Sequence, residues 1–301
     1  MAEDGKLRVL WATDGSGNSL NALPILRQMV LPVTEKVVVL TVAPHSIISP
    51  SRPDPAFLTR VTPAAKRKAL LEAQQLAERD AIALDPSVAV EAVSKWGHPI
   101  EEILRTANQM KADLIVMAAK GHSNLRIALL GSVTQGVAQN TTRPLLIARP
   151  GADFVRKVIL GYHGSRAAKK AFAFLSGLSL PVDAEIVLLT AIEPFTMPEG
   201  TPIAYRRRAL AEAHQINERR HRDAERALAT LAGQIREMGR RVSTEVTAGP
   251  AAMVLDNAAR EHDADLIVVG SRRPTPSGHY LLGSTAEKLV RHAHTSVLVV
   301  R

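Results

Sequence analysis

Residues 111–149 read “KADLIVMAAKGHSNLRIALLGSVTQGVAQNTTRPLLIAR”, and the pattern returns at 263–301 as “DADLIVVGSRRPTPSGHYLLGSTAEKLVRHAHTSVLVVR”. Asp113 and Asp265, like Gly131 and Gly283, are 152 residues apart. Each copy runs from a short apolar stretch into a glycine-bearing loop, a helical stretch and a second apolar run. A glycine loop between strand and helix is where many α/β proteins hold phosphate. The second copy, however, has Arg273 and Pro274 early in the loop, where free backbone N–H groups would be wanted. A phosphate cradle, a damaged cradle and a plain turn all remain open for it.

The repeat extends outward from this segment. “RVLWATDGSGNSLNAL” (8–23) lies over “KVILGYHGSRAAKKAF” (157–172), which sets Gly15-Ser16 against Gly164-Ser165. “EKVVVLTVAP” matches “AEIVLLTAIEP”, and “WGHPIEEIL” matches “TAGPAAMVL”. A whole-domain duplication explains these matches, with the join near “ARPGADF” (148–154), so the expected domains are 1–150 and 151–301. Runs such as “VVVLTV” and “DLIVM” have the composition of strands buried on both faces of a parallel sheet. Between them lie helical stretches. One spans roughly 63–84 and stops before “DPS”; another carries Leu228, Leu231, Ile235 and Met238 and is closed by Gly239. Each half therefore reads β-α-β-α-β-α-β-α-β. The expected class is α/β, with two tandem doubly wound parallel five-stranded sheets and helices on both faces.

Composition narrows the function. Of 301 residues 46% are hydrophobic, and no apolar run reaches the roughly 18 residues of a membrane span. The opening “MAEDGKLRVLWATDG” lacks the basic start and apolar centre of a signal peptide, so membrane insertion is not expected and a cytoplasmic location is. The absence of cysteine excludes disulfides, thiolate metal sites and a thiol nucleophile. The formal charge of +9 raises the question of nucleic acid. Its densest patch, 205–226, is interleaved with Glu212, Glu218, Asp223 and Glu225, the pattern of a solvated helix with i,i+4 pairs. Aromatics make up only 3%, too few for base-stacking platforms, so nucleic acid is not the expected partner. No P-loop is present, “DGSGNS” lacks the third glycine of a dinucleotide fingerprint, and no residue stands out as a base to activate water. His292 and His294 do not have the i,i+4 spacing of a helical metal pair.

At “DGS” after the first strand, “GHP” before the third helix and the late loop, the chain resembles the universal stress protein family in a tandem form. The resemblance implies an adenine nucleotide alpha-hydrolase-like fold and a late loop, G-x-x-G, nine residues, then G-S/T, that wraps ATP phosphates. For the first half it implies a site of Ala12, Thr13 and Asp14, with Val42 facing adenine. The loop would supply Ala118 in place of the first glycine, then Lys120, Gly121, Gly131, Ser132 and Val133. Asp14 would help hold Mg²⁺, although Asp-Gly-Ser is also common turn chemistry. In the second half His163 replaces the acid, and the loop reads Gly270, Arg273, Gly283, Ser284 and Thr285. Arg273 could block this pocket or supply the charge a metal otherwise would; the combined losses point to impaired or altered binding there. The family pairs domains through their final strands, so “RPLLIAR” and “TSVLVVR” should pair within the chain, and a second chain could double the unit. The expected protein is thus a regulatory binder of ATP and Mg²⁺, mainly through its first half, with at most weak hydrolysis. The alternatives are an interaction scaffold without nucleotide and a slow ATPase.

Overall fold

The computed structural model describes residues 6–44, 62–84, 87–119, 130–151, 153–196, 200, 203–271 and 282–301. The first half runs β1 (Leu7–Ala12), an irregular helical stretch, β2 (Thr34–Pro44), α2 (Pro63–Ile82), β3 (Ala89–Gly97), α3 (Pro99–Gln109), β4 (Leu114–Ala118), α4 (Ser132–Asn140) and β5 (Leu145–Ala148). The irregular stretch joins a 3₁₀ turn (Ser19–Ala22), a single α turn, α1 (Leu23–Ile25), a π turn (Leu26–Val30) and a 3₁₀ turn (Leu31–Val33). The second half repeats the order: β6 (Lys157–Gly161), α5 (Arg166–Ser176), β7 (Glu185–Ile192), α6 (Ile203–Glu237), β8 (Arg241–Ala248), α7 (Ala251–Glu261), β9 (Leu266–Gly270), α8 (Ser284–His292) and β10 (Ser296–Val300).

Among the described residues these strands form one sheet, ordered β3-β2-β1-β4-β5-β10-β9-β6-β7-β8. Within each half every pairing is parallel. The two five-stranded sheets join edge to edge through the antiparallel pair β5–β10, with Val297 opposite Ile147 and Leu298 opposite Leu146. The final strands therefore pair within the chain, as the resemblance implies. Strand alternation sends Val9 and Trp11 to one face and Leu10 and Ala12 to the other. The first face packs against the β1–β2 helical stretch, α2, α5 and α6, and the second against α3, α4, α7 and α8. Both apolar clusters draw on both halves, and each buried Leu, Ile or Val contributes about 1.5–3 kcal/mol.

Two arginines in matching repeat positions tie the junction. Arg149, just past β5, donates from Nη2 to the Val290 carbonyl of α8 at 2.6 Å, and its backbone N–H donates to Ser296 Oγ at 3.0 Å. Arg301, just past β10, donates to the Ala138 carbonyl of α4. Arg149 is 1% exposed; burial depresses its pKa to about 10, with nearby Asp256 opposing the shift. The connection between halves is held by Gln28, whose side chain donates to the Asp153 carbonyl and accepts from Val155 N–H.

The long helix α6 shows why its apolar stripe is interrupted. Leu228, Leu231 and Ile235 are buried, whereas its first part is mostly exposed and carries the ion pair Arg208–Glu212 and the polar contacts His214–Glu218 and His221–Glu225, all at i,i+4. Met238, expected on the stripe, is 58% exposed because the helix ends at Glu237 and Gly239 turns away with φ of 74°. Among the described residues no helix is long and apolar enough to cross a membrane.

Candidate functional site

Strand order reverses between β1 and β4 in the first half and between β6 and β9 in the second. Open α/β sheets bind ligands at such points, outside the carboxyl ends of the strands. The loops after β1 and β4, and after β6 and β9, leave the sheet there.

In the first half, Ala12 ends β1 and Thr13 and Asp14 enter the turn. Thr13 donates from its hydroxyl to Asp80 Oδ2 at 2.5 Å and accepts from Gly15 N–H at 3.0 Å. Asp80, near the end of α2, is fully buried, and its carboxylate also accepts from Ser19 Oγ and from Arg79 Nε and Nη2. Arg79 reaches on to the Gly15 carbonyl at 2.7 Å. A buried carboxylate with four donors thus fixes the turn. Sequence reasoning missed it, although Ala73, Ala77 and Asp80 lie at helical spacing on the buried face of α2. Asp14 is exposed, and its Oδ1 accepts from Ser16 N–H at 3.0 Å, an Asx turn. Val42 stands half-buried near the end of β2. Ala118 ends β4 without a positive φ, and its carbonyl accepts from Thr134 Oγ1 at 3.3 Å. Gly131 caps α4 with no side-chain hydrogen bond, which leaves the first N–H groups, at Ser132 and Val133, for another acceptor. Lys120 and Gly121 lie outside the described residues.

The second half holds a cavity of about 760 Å³ at its switch point, within the range of small-ligand pockets. Its lining includes His163, Gly270, Gly283, Ser284 and Thr285, which sequence reasoning named, and Arg166, Lys170 and Arg301, which it did not. Arg273 lies outside the described residues. Gly270 has a clear packing role: a Cβ there would sit 2.2 Å from the Ala167 carbonyl oxygen and 2.9 Å from Ala168 N. The first turn of α5 therefore rests directly on the end of β9. Ser165 caps that turn, its Oγ accepting from Ala168 N–H at 3.2 Å. In the first half Ala118 stands at the repeat position of Gly270, and the helix does not begin until Ser19, after the turn residues Gly17 and Asn18. Gly283, like Gly131, caps its helix without a side-chain bond. Ala191, on β7, and Glu193 border the cavity where Val42 and Pro44 stand in the first half. The chain beyond β7 is clamped to α6, since Asn217 both donates to the Phe195 carbonyl and accepts from Phe195 N–H.

Among the described residues no group of three His, Asp or Glu side chains is placed to hold a metal. His294 is instead paired with Asp256 through Nδ1 at 3.0 Å. Asp14 alone suits only an ion carried in by phosphates, which is how Mg²⁺ is often bound.

This is the architecture of a doubly wound α/β protein, present twice in one chain and joined along a shared sheet. The family model described as “Universal stress protein family” matches residues 7–149 and again 155–301, and the chain belongs to that family. Universal stress protein G of Salmonella typhimurium is 39% identical over 94 residues, 31% of this chain and 66% of that protein, so the match spans slightly less than two thirds of its length. Universal stress protein MJ0531 of Methanocaldococcus jannaschii is 29% identical over 157 residues, 52% of this chain and 87% of that protein. A crystal structure of a universal stress protein from Archaeoglobus fulgidus superposes with a TM-score of 0.69 at 20% identity, covering 98% of both chains, a likeness of fold.

Proposed function

We propose that the protein is a regulatory adenine-nucleotide binder, taking ATP with Mg²⁺ mainly in its first half. The observation that carries this reading is the first-half switch point between β1 and β4, where the exposed Asp14 follows β1 and the Gly131 cap leaves the first N–H groups of α4 without a side-chain acceptor. The first half repeats the frame: the positive-φ Gly15 turn matches that of Gly164, and the Gly131 cap matches that of Gly283. It adds the carboxylate of Asp14, which His163 cannot replace. Ser132 and Val133 N–H groups would meet phosphate, Val42 would border adenine, and Asp14 would face the phosphate-bound Mg²⁺. In this reading bound ATP acts as a signal rather than a rapidly consumed substrate. The proposal includes a cytoplasmic location and pairing of two tandem chains.

A scaffold without nucleotide is favoured by one observation: Thr13 and Asp14 already have partners, Asp80 and Ser16 N–H. Denaturing the purified chain and counting released adenine nucleotide, alongside calorimetry with Mg²⁺–ATP, separates the two. Asp14→Ala should weaken Mg²⁺–ATP binding by about 10- to 100-fold, the value of a lost charged contact. No released nucleotide and no heat of binding would establish the scaffold instead.

A further inference from the structure

The opening turns of the two halves align residue for residue, which sets His163 over Asp14, Arg166 over Gly17 and Lys170 over Asn21. With histidine neutral, these three positions change from one negative charge in the first half to two positive charges in the second. All three second-half residues line the cavity, together with Arg301. The change is therefore concentrated around one pocket, where an acid suited to a metal has given way to fixed cations.

The backbone enforces this placement. Arg166 and Lys170 are i,i+4 on α5 and share a face. The contact of Ala167 with Gly270 draws the first turn of α5 against the end of β9. Lys170 Nζ reaches the Arg301 carbonyl at 3.4 Å, and the Arg301 side chain extends to Ala138 of the other half. Arg301 Nε and Nη1 are buried and have no hydrogen-bond partner among the described residues. Glu193 is the only acidic side chain in the described lining, and it stands beyond the end of β7, its carbonyl accepting from Arg220 of α6 at 3.3 Å. Across the cavity, the helix capped by Gly283 presents the positive end of its dipole.

We propose that the second-half cavity is a metal-independent site for a di- or triphosphate group, with Arg166 and Lys170 supplying the positive charge that a divalent cation would otherwise bring. Arg166 offers a planar fork for two phosphate oxygens and Lys170 a mobile point charge. The inference deepens the nucleotide proposal and rests on it only for the identity of the molecule that carries the phosphates.

The test is calorimetry on the full chain in EDTA at low ionic strength, with ATP and inorganic tripolyphosphate as separate probes. Both should bind at about one equivalent per chain and compete, and added salt should weaken both. Arg166→Gln and Lys170→Gln should each weaken binding by about tenfold or more. Lys169→Gln, on the same helix but outside the lining, should leave affinity unchanged. Failure of both probes in EDTA while Mg²⁺–ATP still binds would overturn the inference and leave the nucleotide proposal standing. Tripolyphosphate binding in EDTA, lost in Arg166→Gln, with no ATP binding under any condition would do the reverse. Binding in EDTA that ignores both substitutions, or responds equally to Lys169→Gln, would also overturn it.

Discussion

Gly270→Ala tests the link between packing and the second-half cavity. The added Cβ would lie 2.2 Å from the Ala167 carbonyl oxygen, roughly 1 Å short of an ordinary carbon–oxygen contact. The neighbour is helix backbone rather than the tip of a side chain, so relief requires α5 or the end of β9 to move. Overpacking of this kind costs about 1–3 kcal/mol. At about 2–4 °C per kcal/mol for a domain-sized unit, the thermal midpoint should fall by roughly 2–12 °C. Because α5 carries Arg166 and Lys170, tripolyphosphate binding in EDTA should weaken with it. Circular-dichroism melts at a fixed scan rate and urea midpoints read the first effect, and calorimetry reads the second. The reverse exchange, Ala118→Gly, relieves no clash and should cost at most about 1 kcal/mol through chain entropy. A Gly270→Ala protein with the melting midpoint and affinity of the parent would show that α5 does not rest on β9 in solution, and the reasoning would fail.

Asp80→Ala removes the acceptor shared by Thr13, Ser19 and Arg79 and should cost about 2–3 kcal/mol in urea unfolding, with Asp80→Asn recovering part of it; an unchanged midpoint would mean that the carboxylate does not organise the turn. The Thr247 hydroxyl, 2.6 Å from Glu245 Oε1, holds the Glu245 carboxyl below its ordinary range; burial opposes this and His262 assists. Since the folded pKa is the lower one, this stabilisation is complete above the ordinary value of 4.5 and is lost as pH falls through the folded value. Thr247→Val should therefore flatten the loss of stability on acidification, read as urea midpoints between about pH 6 and pH 3; an acid limb as steep as the parent's would refute the assignment.

The repeat made the architecture legible because apolar runs at matching positions can be buried together only if the halves share a fold. “DLIVM” and “DLIVV” cover all but the last residue of β4 and β9, the helix expected over 63–84 is α2 at Pro63–Ile82, and the final strands meet as β5 and β10. Periodicity could not place Met238, because whether the last turn of α6 continues depends on Gly239 and not on apolar spacing. Arg149 and Arg301 resemble solvated strand ends in sequence, and their partners, Val290 and Ala138, lie more than a hundred residues away. Asp80 is hidden for the same reason, since a charge on a helix reads as exposed until its donors are known. The candidate positions at loop ends, such as Asp14, His163 and Gly283, were readable from the aligned repeats. Arg166 and Lys170 looked like any charged helix face; their alignment over Gly17 and Asn21, at i,i+4, was the signal that could have marked them.

The antiparallel seam between β5 and β10 has an evolutionary consequence. Two identical chains meeting across such a seam would carry every substitution twice, so a change that abolished a carboxylate or added a lysine would alter both pockets together. Here the two sides of the seam are encoded separately. One side can keep Asp14 while the other takes up His163, Arg166 and Lys170, and the shared sheet still holds both in register. Fusion thus turns a symmetric pair of switch points into two that selection can tune independently, while arginines reaching across the join keep them mechanically adjacent.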